Sequence, residues 1–220
     1  LAAVFTQNQV KAAPVQLGER LLKRGQAQAF IINSGNANAC TGTKGMENAQ
    51  QITELLGTEL GISSDLVFPA STGIIGQQLP MEALESGLEQ IGDQLHPSGG
   101  KKAVRAIMTT DTYPKEMALS FEIDGAEIIV GGMAKGSGMI EPNMATMLGF
   151  LTTNLNISQQ LLQEALSTAV DQSFNRITVD GDQSTNDTVA MMANGQADNR
   201  QITRKDDNYY RFLSVLEEIT

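Results

Sequence analysis

The chain has 220 residues, 41% of them hydrophobic and 18% charged, with a formal charge of −10. That length and apolar content suit a globular chain with one large core or two small ones. The 15 basic residues against 25 acidic ones argue against the clustered Lys and Arg that nucleic-acid phosphates require and fit a small charged or zwitterionic partner better. One cysteine, Cys40, and one histidine, His96, exclude an internal disulfide, a thiolate metal cluster and a two-histidine metal site, and they weaken a Ser-His-Asp reading. Cysteine usage fits a reducing compartment. No apolar run approaches the ~20 residues that span a bilayer, and the first residues lack the basic-then-apolar order of a signal peptide. A soluble, cytoplasmic protein without a membrane partner is expected. Leu1 is not an initiator methionine, and the helical apolar spacing of Tyr209, Phe212, Leu213 and Leu216 runs toward the last residue, Thr220, so the chain reads as a fragment open at both ends.

In chain order, Ala29 to Ile32 reads as a buried strand feeding the tight polar loop Asn33-Ser34-Gly35-Asn36-Ala37-Asn38-Ala39-Cys40-Thr41-Gly42, whose plain interpretation is a turn and a helix N-terminus. Ala49, Ile52, Leu56 and Leu60 keep helical spacing up to a stop at Gly61. Leu66 to Ala70 predicts a second buried strand opening into Ser71-Thr72-Gly73-Ile74-Ile75-Gly76, a corner able to aim an N–H and an O–H at one point, as an oxyanion site requires, though an ordinary turn looks the same. Pro80 begins a predicted helix with Leu84, Leu88, Ile91 and Leu95 on one face, and His96 ends it beside Pro97. Met108-Thr109-Thr110-Asp111-Thr112 gathers hydroxyls and a carboxylate. Met117 to Ile123 and Ala126 to Ala134 flank Asp124-Gly125, the strongest hairpin signal in the chain, and the second strand carries Lys135 to its far end.

Met147 to Thr152 predicts a strand, and Leu161, Leu162, Ala165, Leu166, Ala169 and Val170 an amphipathic helix capped by Ser158. Arg176 to Val179 reads as a strand entering a loop with Asp180, Asp182 and Asp187, but the calcium-loop spacing and its terminal glutamate are absent, so no metal site is assigned. Val189 to Met192 resumes as a strand, and Asn194 to Asp207 reads as a polar, exposed loop. Strands and helices alternate without repeats, which predicts an α/β fold.

Between Lys135 and Phe150, small and turn-forming residues separate two apolar runs. Without a usable histidine or thiolate pair, nucleophilic catalysis would rest on a hydroxyl with another base, and a threonine can use its own α-amine once it becomes a chain terminus. Ala145-Thr146 is a place for this: Thr146 would attack the Ala145 carbonyl in an N-to-O acyl shift, water would hydrolyse the ester, and the freed amine, with an ordinary pKa near ~7.7–8.0, would act as base. A threonine in an ordinary turn at a strand start is the competing reading.

Lys135-Gly136-Ser137-Gly138-Met139-Ile140 followed by Pro142-Asn143-Met144-Ala145-Thr146-Met147-Leu148 resembles the autoprocessing signature of the ornithine acetyltransferases, also called glutamate N-acetyltransferases, of arginine biosynthesis. Asn33 to Gly42, Ser71 to Gly76, Met108 to Thr112 and Ile177 to Asp182 resemble the same family, in the family's order. The resemblance implies a layered α/β sandwich of mixed β-sheet and helices, of the self-cleaving N-terminal-threonine type. Residues 1–145 would be an α-chain portion and 146–220 a β-chain portion, assembled as α2β2. Thr146 would be the nucleophile that takes the acetyl group from N-acetylornithine and passes it to glutamate in a ping-pong cycle. Thr72 and Gly73 match the oxyanion hole, and Thr109, Lys135 and Thr146 match substrate-binding positions. A cationic Lys135 would pair with the substrate α-carboxylate and keep the Thr146 amine unprotonated. No cofactor is implied, and acetyl-CoA stays open as a second donor. Family members extend beyond both ends of this chain, with residues there completing the substrate site. Gln183 stands where a threonine is more usual, a departure with no evident physical reason.

Two other readings compete. A self-processing aminopeptidase or amidohydrolase of related architecture would pass the acyl group to water instead of glutamate. A non-catalytic module would hold an anion in the Gly136 to Gly138 loop, although the Gly-x-x-x-x-Gly-Lys-Ser/Thr spacing is absent.

Overall fold

A computed structural model of the chain describes residues 1–139 and 147–220. Five strands form one sheet in the order β1 (Ala2–Phe5), β7 (Thr188–Ala193), β6 (Leu148–Thr153), β5 (Ala126–Lys135) and β4 (Lys115–Ile123). β6 and β7 are parallel and the other neighbours antiparallel. A smaller sheet pairs β2 (Ala29–Asn36) with β3 (Val67–Ile74) in parallel.

The pleat sends successive side chains to opposite faces, and here both faces of the large sheet are covered. Ala2, Ile128, Val130, Leu151, Val189 and Met191 pack with Leu162, Leu166, Phe212 and Leu216 of helices α6 (Gln159–Gln172) and α7 (Asp207–Ile219). Ala3, Leu148, Phe150 and Ala190 face the other way, onto Phe68 and Ala70 of the small sheet. Strands buried on both faces need near-continuous apolar runs, as β6 and β7 have. Behind the small sheet, Val67 packs on Ile52 and Leu56 of α2 (Gly42–Leu60) and Leu88 of α3 (Met81–Leu88). The layers therefore stack helix, sheet, sheet, helix, a mixed α/β sandwich as the alternation predicts. Phe30 joins the two sheets, its ring 5.1 Å from Phe150 and 5.9 Å from Phe68, contacts that add about 0.5–1.5 kcal/mol each beyond the buried area.

Local signals account for several boundaries. Asp124 and Gly125 take φ of 54° and 81°, the left-handed pair of a two-residue type I′ hairpin turn, and they set β4 against β5 in register from Ile123–Ala126 to Lys115–Ala134. Ser158 accepts a hydrogen bond from the Leu161 N–H and Asp206 one from Tyr209, caps worth about 1 kcal/mol each.

Elsewhere the tertiary structure departs from the sequence expectation. β2 and β3 do not stop at their apolar runs but continue through Asn33–Asn36 and Ser71–Ile74, because each polar stretch finds the other as its ladder partner. The helix expected from Pro80 through Leu95 breaks into α3 and the single turn α4 (Ile91–Gln94); Gly87 and Gly92 weaken a continuous helix, and Leu95 is exposed. Helix α5 (Gly100–Ala106) follows. Ile177 to Val179 form no strand: a short 3-10 turn at Phe174–Arg176 leads into irregular chain in which Ile177 and Val179 are exposed, and no strand among the described residues pairs with them. The stretch before α7 is not wholly exposed either, since Asn199 and Ile202 are buried and Ile202 bridges Ile157. β1 and α1 (Ala13–Leu22) have no counterpart in the sequence reading. Among the described residues no helix is long and apolar enough to cross a membrane.

Candidate active site

Thr72, Gly73, Thr109 and Lys135 come from three separate parts of the chain. Thr72 lies on β3 opposite Ser34 of β2 and is buried. Gly73 follows it at φ 136°, and a Cβ there would sit 2.2 Å from the Gly35 carbonyl carbon, so only glycine allows the two strands to approach at this corner. Lys135 ends β5, paired with Leu148 at the start of β6, and is only 3% exposed. Its Nζ donates to Thr72 Oγ1 and Thr109 Oγ1, each at 3.0 Å. One ammonium thereby joins the end of the small sheet, the end of the large sheet and the loop after α5. The structure brings Thr72, Thr109 and Lys135 into contact and places Gly73 beside them; Ala145 and Thr146 lie outside the described residues.

Two carboxylates flank this lysine in unlike environments. The Asp111 side chain accepts from the Gly136 N–H at 2.8 Å and pairs with Lys115 at 2.6 Å. Burial would raise its carboxyl, but the Gly136 amide, Lys115 and the Thr109 N–H outweigh that and hold it below the usual carboxylate range. Asp187, 1% exposed, accepts from the Met147 N–H through Oδ1 at 2.8 Å, while its Oδ2 has no hydrogen-bond partner. Burial pushes it up to about 8, against the opposing effects of the Met147 amide, the Ser184 hydroxyl and the Lys135 charge. Ser184 lies near enough to lower the value, yet no hydrogen bond of good geometry reaches Oδ2. Burial in turn pulls Lys135 below the ordinary lysine range, opposed by Asp111 and Asp187 and reinforced by Lys115. Carboxyl groups driven in opposite directions around one cation are an arrangement that suits proton transfer or anion binding.

The loop before β7 holds these parts together. Asn186 Nδ2 donates to Ala37 O at 2.6 Å and Ser71 O at 2.8 Å, and its Oδ1 accepts from Thr185, so one buried amide ties the loop before β7 to β3 and to the residue that follows β2. Asp180 Oδ2 accepts from the Met139 N–H at 2.6 Å. Ser137 and Thr110 share a hydroxyl contact, which keeps the chain after Lys135 beside the Thr109 loop. Asp111, Asp180, Asn186 and Asp187 had no assigned role in the sequence reading. The signal available was the density of Asp and Asn at loop-to-strand junctions, where such side chains cap backbone N–H groups. His96, exposed and bonded to Ser98, belongs to a turn between α4 and α5, and Gln183 contributes its backbone carbonyl to Asn8.

A sequence model of the ArgJ family matches residues 1–220. The arginine biosynthesis bifunctional protein ArgJ of Symbiobacterium thermophilum is 50% identical over 218 residues, 99% of this chain and 54% of that protein. The chain therefore spans about half the length of the curated relatives it matches. Among solved structures, arginine biosynthesis bifunctional protein argJ from Bacillus halodurans matches with a TM-score of 0.60 and 39% identity over 66% of this chain and 76% of that one. Ornithine acetyltransferase from Mycobacterium tuberculosis, complexed with ornithine, matches with a TM-score of 0.57 and 38% identity over 64% and 75%. Both identities are well above what a shared fold alone would produce, and the mixed α/β architecture is that of these ArgJ structures. The chain belongs to the ArgJ family.

Proposed function

We propose that this chain is the central part of a self-processing acetyltransferase that moves an acetyl group from N-acetylornithine to glutamate through an acetyl-Thr146 intermediate. The observation that carries the reading is the convergence of Lys135 Nζ on the hydroxyls of Thr72 and Thr109, 3.0 Å from each, beside the β-strand that begins just after Thr146. Family membership and the ornithine bound to the Mycobacterium tuberculosis relative support the substrate class.

In the self-cleavage, Thr146 Oγ attacks the Ala145 carbonyl carbon, the C–N bond breaks, and the amine leaves with the hydroxyl proton. Water then hydrolyses the ester, giving residues 1–145 and 146–220 as parts of two chains. In the transfer, Thr146 Oγ attacks the acetyl carbonyl while its α-amine takes the hydroxyl proton and passes it to the departing ornithine amine. The glutamate amine attacks the acetyl ester and regenerates Thr146. Thr72 O–H and Gly73 N–H stabilise the oxyanion, and Lys135 and Thr109 bind the substrate. Lys135, already short of its ordinary basicity, also disfavours a second positive charge on the nearby amine. The proposed assembly is α2β2 in the cytoplasm, without a cofactor.

Full-length protein incubated with N-acetylornithine, with and without glutamate, tests the reading, with intact mass recorded in parallel. Two chains divided at Ala145-Thr146 and acetylglutamate formed only with glutamate are expected. Thr146→Ala should remain one inactive chain. Acetate released regardless of glutamate would instead establish an amidohydrolase, and an uncleaved, active wild type would falsify the nucleophile assignment. Acetyl-CoA in place of N-acetylornithine tests the second donor.

A further inference from the structure

The segment between Met139 and Met147 is held at both of its described ends by the same loop. The Met139 N–H donates to Asp180 Oδ2 at 2.6 Å and the Met147 N–H to Asp187 Oδ1 at 2.8 Å. We infer that Asp180 and Asp187 are positioning residues, a two-point clamp on the chain that carries the Ala145-Thr146 bond. The inference rests on the self-cleavage proposed above.

The two ends differ in strength. Asp187 is buried, and its backbone carbonyl accepts from the Thr6 N–H at 2.9 Å, so the carboxyl group is presented from a fixed position just before β7. Met147 is gripped twice: its N–H by Asp187 and its carbonyl by the Thr188 N–H at 3.1 Å. The Met147 nitrogen is bonded to the Thr146 carbonyl carbon, and a planar peptide leaves only the soft torsions of residue 146 between this anchor and the nucleophile. Burying a carboxyl oxygen without a hydrogen-bond partner is costly, and Asp187 Oδ2 is such an atom. A role in holding Met147 accounts for keeping an acid at a place where packing alone would favour an apolar side chain. Asp180 is exposed, so its hydrogen bond from the Met139 N–H competes with water and is the looser of the two.

Cleavage separates the roles. Met139 then belongs to the chain ending at Ala145, whereas Asp180, Asp187 and Met147 all belong to the chain beginning at Thr146. The Asp187 contact stays within the chain of the nucleophile and serves both cleavage and transfer. The Asp180 contact becomes a contact between chains and serves cleavage chiefly.

The test uses the full-length precursor with Asp187→Ala, Asp187→Asn, Asp180→Ala and Thr146→Ala, read by the rate of conversion to two chains, by steady-state acetyl transfer and by thermal unfolding. Displacing a reacting group by a fraction of an ångström costs orders of magnitude, so Asp187→Ala should slow cleavage and lower kcat by at least about tenfold, with KM for N-acetylornithine changed less than about twofold. The Asp187→Asn amide oxygen still accepts from Met147 and should restore most of both losses. Asp180→Ala should slow cleavage by about threefold or more, the worth of one exposed hydrogen bond, and slow transfer by less. Asp187→Ala that melts lower yet cleaves and transfers at wild-type rates would reduce the residue to a structural part and overturn the inference, as would Asp187→Asn no better than Asp187→Ala. Because Asp180 is exposed, Asp180→Ala is expected to fold, and wild-type cleavage in that variant overturns the two-point clamp whatever Asp187→Ala does. A wild type that stays one chain removes the self-cleavage reading and this inference together; a cleaved wild type with unaffected variants removes the inference alone.

Discussion

Lys135 Nζ stands 3.0 Å from Thr72 Oγ1 although 63 positions separate the two residues. The contact closes the gap between the ends of the two sheets and gives the candidate site its only buried cation among the described residues. Lys135→Met should keep the fold and lower stability by about 1–3 kcal/mol, since the Thr72 and Thr109 hydroxyls lose the ammonium that donates to them. Under the proposed function, in which Lys135 binds the substrate, acetyl transfer by the full-length protein should fall by about a hundredfold or more. Lys135→Arg should not rescue it, because a planar guanidinium cannot reproduce the compact ammonium between two hydroxyls. Thermal melts and steady-state kinetics on the same preparations check both statements.

Asp187 predicts a pH dependence of stability. Its folded-state pKa is raised to about 8 from an ordinary 3.8, so between those values the folded protein holds a proton that the unfolded chain releases. Stability contributed by this group is present at low pH and declines as pH rises through that window, by up to about 1.4 kcal/mol for each pH unit. The charged groups that bear on it are Lys135 directly and, through Lys135, Asp111 and Lys115. Asp187→Asn removes the titration, so in a Thr146→Ala background, which under the proposed self-cleavage stays whole, the variant should gain on its parent from pH 5 to pH 8. Urea unfolding at several pH values measures this; parallel curves would show that Asp187 is ionised throughout.

Gly73 and Gly87 should respond to alanine in opposite directions. At Gly73 the new Cβ would lie 2.2 Å from Gly35 C and 2.4 Å from Asn36 N at φ 136°, so Gly73→Ala should cost at least about 3 kcal/mol or prevent folding. Gly87, inside α3, has open space around it, and Gly87→Ala should add about 0.5–1 kcal/mol by helix propensity alone. Differential scanning calorimetry of the two variants decides the matter.

Asn186→Ala should lower stability by about 2–4 kcal/mol, since it leaves the Ala37 and Ser71 carbonyls without their buried donor. Asn186→Asp should be at least as damaging, because a carboxylate cannot donate to either carbonyl. Urea midpoints report the cost, and activity should fall with stability in both.

Much of the fold is legible in local sequence. The hairpin at Asp124-Gly125, the Ser158 cap and the apolar stripes of α2, α6 and α7 depend on residues within a few positions of one another, and the structure contains them all. The departures arise where a partner far away in the chain decides: polar Asn33 to Asn36 becomes strand because Ser71 to Ile74 lies alongside, whereas Ile177 to Val179 pairs with no strand among the described residues.

The site divides along the same line. Sequence alone determined the mixed α/β class and the lack of a cysteine pair or a histidine pair within these 220 residues, and the family resemblance pointed to Thr72, Gly73, Thr109, Lys135 and Thr146 as the proposed site. Tertiary structure alone decided that Lys135 is buried and donates to Thr72 and Thr109, that Asp111 and Asp187, whose charges both bear on it, are driven in opposite directions, and that Asp187 holds the residue after Thr146. Those contacts join residues 26 to 63 positions apart, and their geometry depends on strand register and sheet packing, which no local pattern encodes. Burial sets the proton affinities for the same reason: desolvation is a property of everything packed around a group, and its chain neighbours are a small part of that.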